Sequence, residues 1–374
     1  MTGARKKIIV LGSFAESLIN FRRDLIIELV NRGYQVVAVA PDMDEKTENA
    51  LSQLGVSAKR IAFSRTGMNP ISDLRGIIGL RKFFKAEAPH AVISYTAKPV
   101  IYGTLAARLA GMKHIGGMIT GLGFAFTTGP GIKRKIARLV VSLLYRVALP
   151  QASHVVFQNE DDCQLFTQRR FVRRQQMVTV VNGSGVNIER FDVVPLPPAP
   201  IFLMIGRFLG AKGVREFSAA AKILRAKVPG ARTALVGWID DSPDSISQLE
   251  LDKWISQGME NWGRLSDVRP AIAKSSVVVL PSYREGTPRS VLEGMAMARA
   301  IVTTDVPGCR LTVEQGINGF KVKVAAVEPL AEAMIKLARD PSLRAQMGRA
   351  SRQHVVQLYD SKVVAKATAD GLGL

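Results

Sequence analysis

Short apolar runs alternate with stretches of helical periodicity along nearly the whole chain. Residues 8–11 read as a buried strand, Gly12 and Ser13 follow, and a helical pattern over about 16–31 closes at Gly33. Residues 36–40 are the next strand, so the chain opens with a βαβ unit. The pattern continues through a strand at 57–62, a helix at 71–87, a strand at 91–94 and a helix at 101–110. Residues 118–126 read as a glycine-punctuated apolar loop, and strands at 155–157 and 178–181 bracket a helix at about 160–168. A second series places strands at 201–205, 233–237, 277–280 and 300–303, with helices between them, one of them over 216–227. Continuous apolar runs joined by helices are parallel strands covered on both faces, so the predicted class is α/β with doubly wound, Rossmann-like parallel sheets.

A chain of 374 residues is long for one domain and predicts two. The linker signal is clearest at 193–200, where prolines cannot donate to a sheet and favour an extended spacer. The predicted division is therefore an N-terminal domain at 1–192, a linker at 193–200, a C-terminal domain at 201–354 and a tail or helix at 355–374 that packs back toward the N-terminal domain.

Charge adds a partner to this picture. The net charge is +20; residues 1–192 hold 27 Lys and Arg against 14 Asp and Glu, and residues 193–374 hold 24 against 17. An anionic partner is implied, whether nucleic acid, an anionic membrane surface or a phosphorylated substrate. The segment 132–149 concentrates it, with Lys133, Arg134, Lys135, Arg138 and Arg146 among a nearly continuous apolar set. Two readings fit: a basic amphipathic helix on an anionic bilayer, or a domain helix whose basic start snorkels. Cys163 and Cys309 stand far apart with no zinc or redox spacing, and none of the four histidines pairs at a metal spacing, so no metal is expected. The start of the chain leads directly into a strand and no apolar run approaches ~20 residues, which predicts a cytoplasmic protein. The acidic run at 238–244 reads as an exposed turn.

Candidate chemistry gathers at two strand ends. The run at 277–280 enters a polar loop with Glu285, and a helical pattern beginning near Pro288 carries Glu293. Thr287 as N-cap and Pro288 as first helical residue would turn the positive end of that helix toward an anion. Residues 290–293 also match a capping box, which would leave Glu293 only a structural task. Upstream, Gly206 and Arg207 end an apolar strand, and Lys212 follows five residues after Arg207. Two carboxylates and two cations at strand ends suit an activated sugar phosphate: acceptors for hydroxyls and cations for a diphosphate leaving group.

Together, Gly206-Arg207 with Lys212-Gly213, the Glu-x7-Glu pattern from Glu285 to Glu293, Asn182-Gly183-Ser184-Gly185-Val186 and Gly319-Phe320 resemble, in order, the retaining glycosyltransferases of family 4. The resemblance implies the GT-B architecture, two Rossmann-like domains facing an interdomain cleft, with the helical stretch at 341–358 crossing back toward the first. It implies a nucleotide-sugar donor, with Arg207 and Lys212 on the diphosphate and Glu285 on sugar hydroxyls. Glu293 would hold the ribose, Gly286, Thr287 and Pro288 would place sugar and phosphate, and Arg264 and Leu265 would lie beside the base. Gly12 and Ser13 stand where the family commonly has paired glycines at the first strand end and are candidates for binding the nucleotide sugar there; a tight turn with no ligand is the other reading. In the family a histidine that touches the donor sugar often stands in the place of Thr120; Thr-Gly-Leu-Gly here resembles instead the bacterial branch acting on polyprenyl-diphosphate-linked saccharides, which makes Thr120 and Gly121, with Lys133, Arg134, Lys135 and Arg138, candidates for contact with the acceptor or the membrane. Asn187 and Leu311 replace the family's usual Asp and Glu.

The expectation is a retaining enzyme without a cofactor or metal. It would move a hexose or N-acetylhexosamine from a UDP-sugar to a lipid-linked saccharide at the anionic inner face of the cell membrane. A UDP-sugar epimerase or hydrolase of the same fold would need added proton-abstracting groups. A basic nucleic-acid-binding protein would need aromatics interleaved with its cations, so no nucleic acid partner is expected.

Overall fold

The structure, a computed structural model, describes residues 5–63, 69–122 and 132–374, with side chains of 132–134 outside the description. The chain divides into two compact units, residues 1–184 with 361–374, and residues 185–360.

The first unit runs β1 (Lys7–Leu11), α1 (Glu16–Asn31), β2 (Gln35–Ala40), α2 (Glu45–Ser52), β3 (Ser57–Arg60), α3 (Pro70–Glu87) and β4 (Ala91–Tyr95). It continues through a π-helical turn at Pro99–Gly103, α4 (Thr104–Leu109), β5 (His114–Ile119), α5 (Ile132–Ala148), β6 (His154–Phe157), α6 (Glu160–Gln168) and β7 (Met177–Val180). The strands form a parallel sheet in the order β3-β2-β1-β4-β5-β6-β7. Side chains alternate across each strand, so Ile9 and Leu11 feed one core with Leu80, Phe84 and Tyr145, while Ile8 and Val10 feed the other with Leu18 and Ile26. Helix starts follow local chemistry. Asp44 accepts from Thr47 N at 2.9 Å ahead of α2, and Asn69 accepts from Ile71 N and Ser72 N ahead of α3, where Pro70 takes the first turn.

The second unit runs β8 (Ile201–Arg207), α7 (Val214–Lys227), β9 (Arg232–Trp238), α8 (Gln248–Ser256), β10 (Glu260–Asn261), α9 (Arg269–Ala273), β11 (Val277–Leu280), α10 (Arg289–Ala296), β12 (Ala300–Thr304), β13 (Gly319–Val322), α11 (Val327–Arg339) and α12 (Pro341–Leu358). Its parallel sheet has the order β10-β9-β8-β11-β12-β13. The last helix, α13 (Ser361–Gly371), rejoins the first unit: Val364, Ala365, Ala369 and Leu372 enter its core, and Arg32 pairs with Asp370 at 2.7 Å.

Several expectations change. The second unit starts at residue 185 rather than after the proline-rich stretch, because two arginines, Arg352 half-buried and Arg299 buried, hold 186–195 onto it. Arg352 donates to the carbonyls of Ile188 and Phe191. Arg299, fully buried, donates to those of Val194, Pro195, Ile272, Ala273 and Met297. The helix at 341–358 stays in the second unit, and the short α13 is the segment that returns. The helix expected over 101–110 begins with the π turn, and β5 occupies residues expected to lie before or within a loop, because two glycines dilute its apolar pattern.

Candidate active site

In the second sheet the strand order reverses between β8 and β11, so their two following loops splay from neighbouring strand ends and leave a crevice there. This topology brings the two candidate motifs together. Tyr283 N donates to Ala211 O at 2.9 Å, tying the loop after β11 to the loop after β8. Gly213 sits at φ 74 with Pro281 O so close that a side chain would collide with it. The loop after β12 buttresses the pair from behind: Glu285 N donates to Pro307 O at 3.1 Å, and Gly308, at φ 79, lies against the carbonyls of Glu285 and Gly286.

Within this cluster Lys212 Nζ meets Glu285 Oε1 at 2.5 Å, with side-chain exposures of 24 % and 12 %. Ser282 Oγ donates to the same carboxylate oxygen at 2.7 Å. Cys309 is buried behind it, and burial first, with the Glu285 charge adding to it, pushes the thiol up to about 12, so it stays protonated at neutral pH. Arg207 Nη1 pairs with Asp240 Oδ2 at 2.6 Å at a more open position. Asp244 receives Ala211 N at 2.7 Å through its side chain and Gly210 N at 2.8 Å through its carbonyl. Tyr283 donates to Glu216 at 2.7 Å, adding a further tie between the loop after β11 and α7.

Glu293 forms a different pair. Its Oε1 receives Arg289 Nε at 2.9 Å, and 12 % of its side chain is exposed. Burial raises its pKa above the usual carboxylate value, an effect that Arg289 and Arg190 oppose. Arg264 lies over the Trp238 ring at 4.4 Å, with Leu265 exposed beside it in sequence.

The structure thus brings Lys212 and Glu285 into contact, sets Arg207 at the end of β8 against Asp240 from the loop after β9, and gives Glu293 its own partner. Pro288 is the N-cap of α10 rather than its first residue, and Thr287 turns its hydroxyl to Gly286 O at 2.9 Å instead of capping. The capping box at 290–293 does not form, since Glu293 faces Arg289. The acidic run at 238–244 is a turn, but two of its carboxylates organise the loop after β8. Their role was not visible in the sequence, because it depends on β9 lying beside β8, which local composition does not encode.

At the first strand end of the first unit, the space a Gly12 side chain would need is filled by the Tyr95 hydroxyl, so the glycine there has a packing reason. Ser13 is buried, Tyr95 meets Ser17 Oγ at 2.7 Å, and Arg22 lies 4.8 Å from its ring. Thr120 and Gly121 follow β5, half-buried, while the Gly123 to Phe126 part of that loop lies outside the described residues. Lys135 is exposed and Arg138 half-buried on α5; the side chains of Lys133 and Arg134 lie outside the described residues.

Two doubly wound parallel-sheet units are the architecture of the GT-B fold, and the second brings cations and carboxylates together at its switch point. The comparisons agree: residues 20–183 match the glycosyl transferase 4-like domain and residues 199–340 match glycosyl transferases group 1. The chain belongs to this glycosyltransferase family. It is 30% identical over 371 residues to the Campylobacter jejuni N,N'-diacetylbacillosaminyl-diphospho-undecaprenol alpha-1,3-N-acetylgalactosaminyltransferase, covering 95% of each chain. It is 24% identical to the Escherichia coli UDP-Gal:alpha-D-GlcNAc-diphosphoundecaprenol alpha-1,3-galactosyltransferase, covering 78% of this chain and 76% of that one. In fold it is similar to the Thermosynechococcus elongatus sucrose-phosphate synthase (TM-score 0.80, 18% identity, 98% of each chain). Anabaena HepE in complex with UDP and glucose is similar too (TM-score 0.77, 16% identity, 99% of this chain and 100% of that one).

Proposed function

We propose that this glycosyltransferase moves a hexose or N-acetylhexosamine from a UDP-sugar to a polyprenyl-diphosphate-linked saccharide, with retention at the anomeric carbon and without a metal. The lipid-linked acceptor rests on the likeness to the Campylobacter and Escherichia enzymes, whose names specify undecaprenyl-diphosphate-linked sugars. We infer a place at the anionic inner face of the cell membrane, where a polyprenyl carrier would present its saccharide, and expect no nucleic acid partner. Family membership leaves the epimerase, hydrolase and nucleic-acid readings without support.

One observation carries the donor side: the half-buried Lys212–Glu285 pair beside Arg207, at the switch point of the second sheet. A departing nucleoside diphosphate gains negative charge as the glycosidic bond breaks. Arg207 and Lys212 supply fixed positive charge for it, the task a divalent cation performs in other transferases. Asp240 and Glu285 hold the two cations in position before the donor arrives. Ser282 then fixes the Glu285 oxygen that would accept from sugar hydroxyls, and Glu293 would take the ribose hydroxyls. In a retaining reaction the acceptor hydroxyl attacks the face the diphosphate leaves, and a donor phosphate oxygen takes its proton. No separate protein base is then needed.

The test is transfer of a radiolabelled sugar from UDP-sugars to an undecaprenyl-diphosphate-linked saccharide in EDTA, with the product anomer assigned by NMR. An α-linked product from an α-linked donor, at a rate unchanged by EDTA, is expected. A β-linked product refutes retention, and loss of transfer restored by a divalent cation refutes metal independence.

A further inference from the structure

Helix α5 is apolar on two sides. Tyr145 and Ala148 are buried and Val141 and Leu144 pack against the core, yet Ile136, Leu139, Leu143 and Val147 form an exposed stripe, Leu139 at 72 % and Leu143 at 60 %. The helix contains no Asp or Glu. A cavity of about 370 Å³ beside it is lined by Leu143 and Phe171 together with Lys135, Arg138, Arg146 and Arg169. The Ser142 hydroxyl, also at this cavity, is buried with no hydrogen-bond partner among the described residues.

Helix α3 repeats the arrangement. Ile71, Leu74 and Ile78 form an exposed stripe, with Arg75, Arg81, Lys82 and Lys85 exposed on the same helix. Its acids are engaged elsewhere: Asp73 receives Lys98 at 2.9 Å and Tyr102 at 2.8 Å, and Glu87 pairs with Lys7. Both helices contribute to the same core cluster, on one face of the sheet, and both pack against Pro99–Gly103.

We propose that α3 and α5 together form a docking face for an anionic phospholipid bilayer, the two apolar stripes entering the headgroup region while the surrounding cations meet lipid phosphates. Cations alone would suit any polyanion, but leucines exposed this far need an apolar partner at the same place. An anionic bilayer supplies both at one surface. The inference rests on the lipid-linked acceptor proposed above, because a polyprenyl carrier keeps its saccharide at such a surface.

Sedimentation with vesicles tests it, using phosphatidylcholine alone and phosphatidylcholine mixed with phosphatidylglycerol, and UDP binding as a parallel readout. Wild type is expected to pellet with the mixed vesicles and to be released by salt. Leu139→Ser with Leu143→Ser leaves the charge unchanged and should weaken binding at least about tenfold. Ile71→Ser with Leu74→Ser should weaken it similarly, and Lys135→Gln with Arg138→Gln about 25-fold. The proposal is overturned if wild type stays in the supernatant, or if the leucine pair pellets like wild type. A wild-type dimer that dissociates in the leucine pair, with vesicle binding unchanged, also overturns it and assigns the face to a second copy. Wild type that pellets but binds no UDP leaves the docking face standing and removes the donor reading instead.

Discussion

The two sheets reverse strand order in the same way, between β1 and β4 in the first unit and between β8 and β11 in the second, yet the two switch points are filled differently. In the first, Tyr95 from β4 leans into the space above Gly12, its hydroxyl on Ser17 and its ring facing Arg22. In the second, the loops carry Arg207, Lys212 and Glu285, each charge already partnered and each loop tied to the next. Topology decides where a crevice opens in a doubly wound sheet. The side chains that enter it decide whether it is a packed corner or a place for an anion.

The sharpest way to break this contrast is to remove a charge from the second switch point. Lys212→Ala should lower kcat on the order of 10²–10³-fold, about 3–4 kcal/mol in the barrier, because in the proposed role the cation acts on charge that develops only as the bond breaks. Steady-state kinetics at saturating donor check it, and a fall confined to KM would assign Lys212 to ground-state binding alone.

Arg299 tests what holds the frame of that site. Arg299→Leu removes the guanidinium that donates to the carbonyls of Val194, Pro195, Ile272, Ala273 and Met297 and should cost about 3 kcal/mol. Burial lowers the arginine to about 10, so it remains charged at neutral pH and the loss is a full one. Scanning calorimetry should show the lower transition temperature.

Gly12→Ala addresses the other switch point. The added methyl meets the Tyr95 hydroxyl and should destabilise by about 1–3 kcal/mol while leaving UDP affinity unchanged. A large loss of UDP binding with little loss of stability would make the first switch point a nucleotide site after all.

The finest distinction concerns Glu293. Its folded-state pKa lies above the 4.5 of an unperturbed glutamate, so at neutral pH its ionised form is held at a cost that the unfolded chain does not bear. Glu293→Gln should therefore raise the transition temperature of the ligand-free protein at neutral pH. That gain should shrink as pH falls toward 4.5, because the folded wild type takes up its proton first. A gain that grows on acidification reverses the assigned sign.

Much of this was legible in the chain. Parallel strands buried on both faces are continuous apolar runs, so the strand at 277–280 and the helices at 16–31 and 160–168 have the ends that the pattern gives them. Arg207, Lys212 and Glu285 stood out because charge at a strand end is chemically conspicuous, and Glu293 through its spacing of eight residues from Glu285. What stayed hidden depends on neighbours distant in sequence. Asp240 meets Arg207 only because β9 lies beside β8, and Tyr95 closes the Gly12 turn only because β4 lies beside β1. The boundary at 184/185 was hidden for the same reason, since Arg352 and Arg299 reach back more than a hundred residues to hold the segment 186–195. Exposed stripes such as Ile71-Leu74-Ile78 have the spacing of core positions, and periodicity cannot say which apolar face of a helix is left uncovered.

We infer that the second unit's strand-end cluster holds a nucleoside diphosphate without a metal. Calorimetric titration of UDP into the full chain in EDTA, wild type beside Glu293→Ala and Arg207→Ala, tests it most directly. The account predicts saturable binding by wild type and a loss of at least about tenfold in each variant. Absence of wild-type binding, or equal affinity in all three proteins, would contradict it.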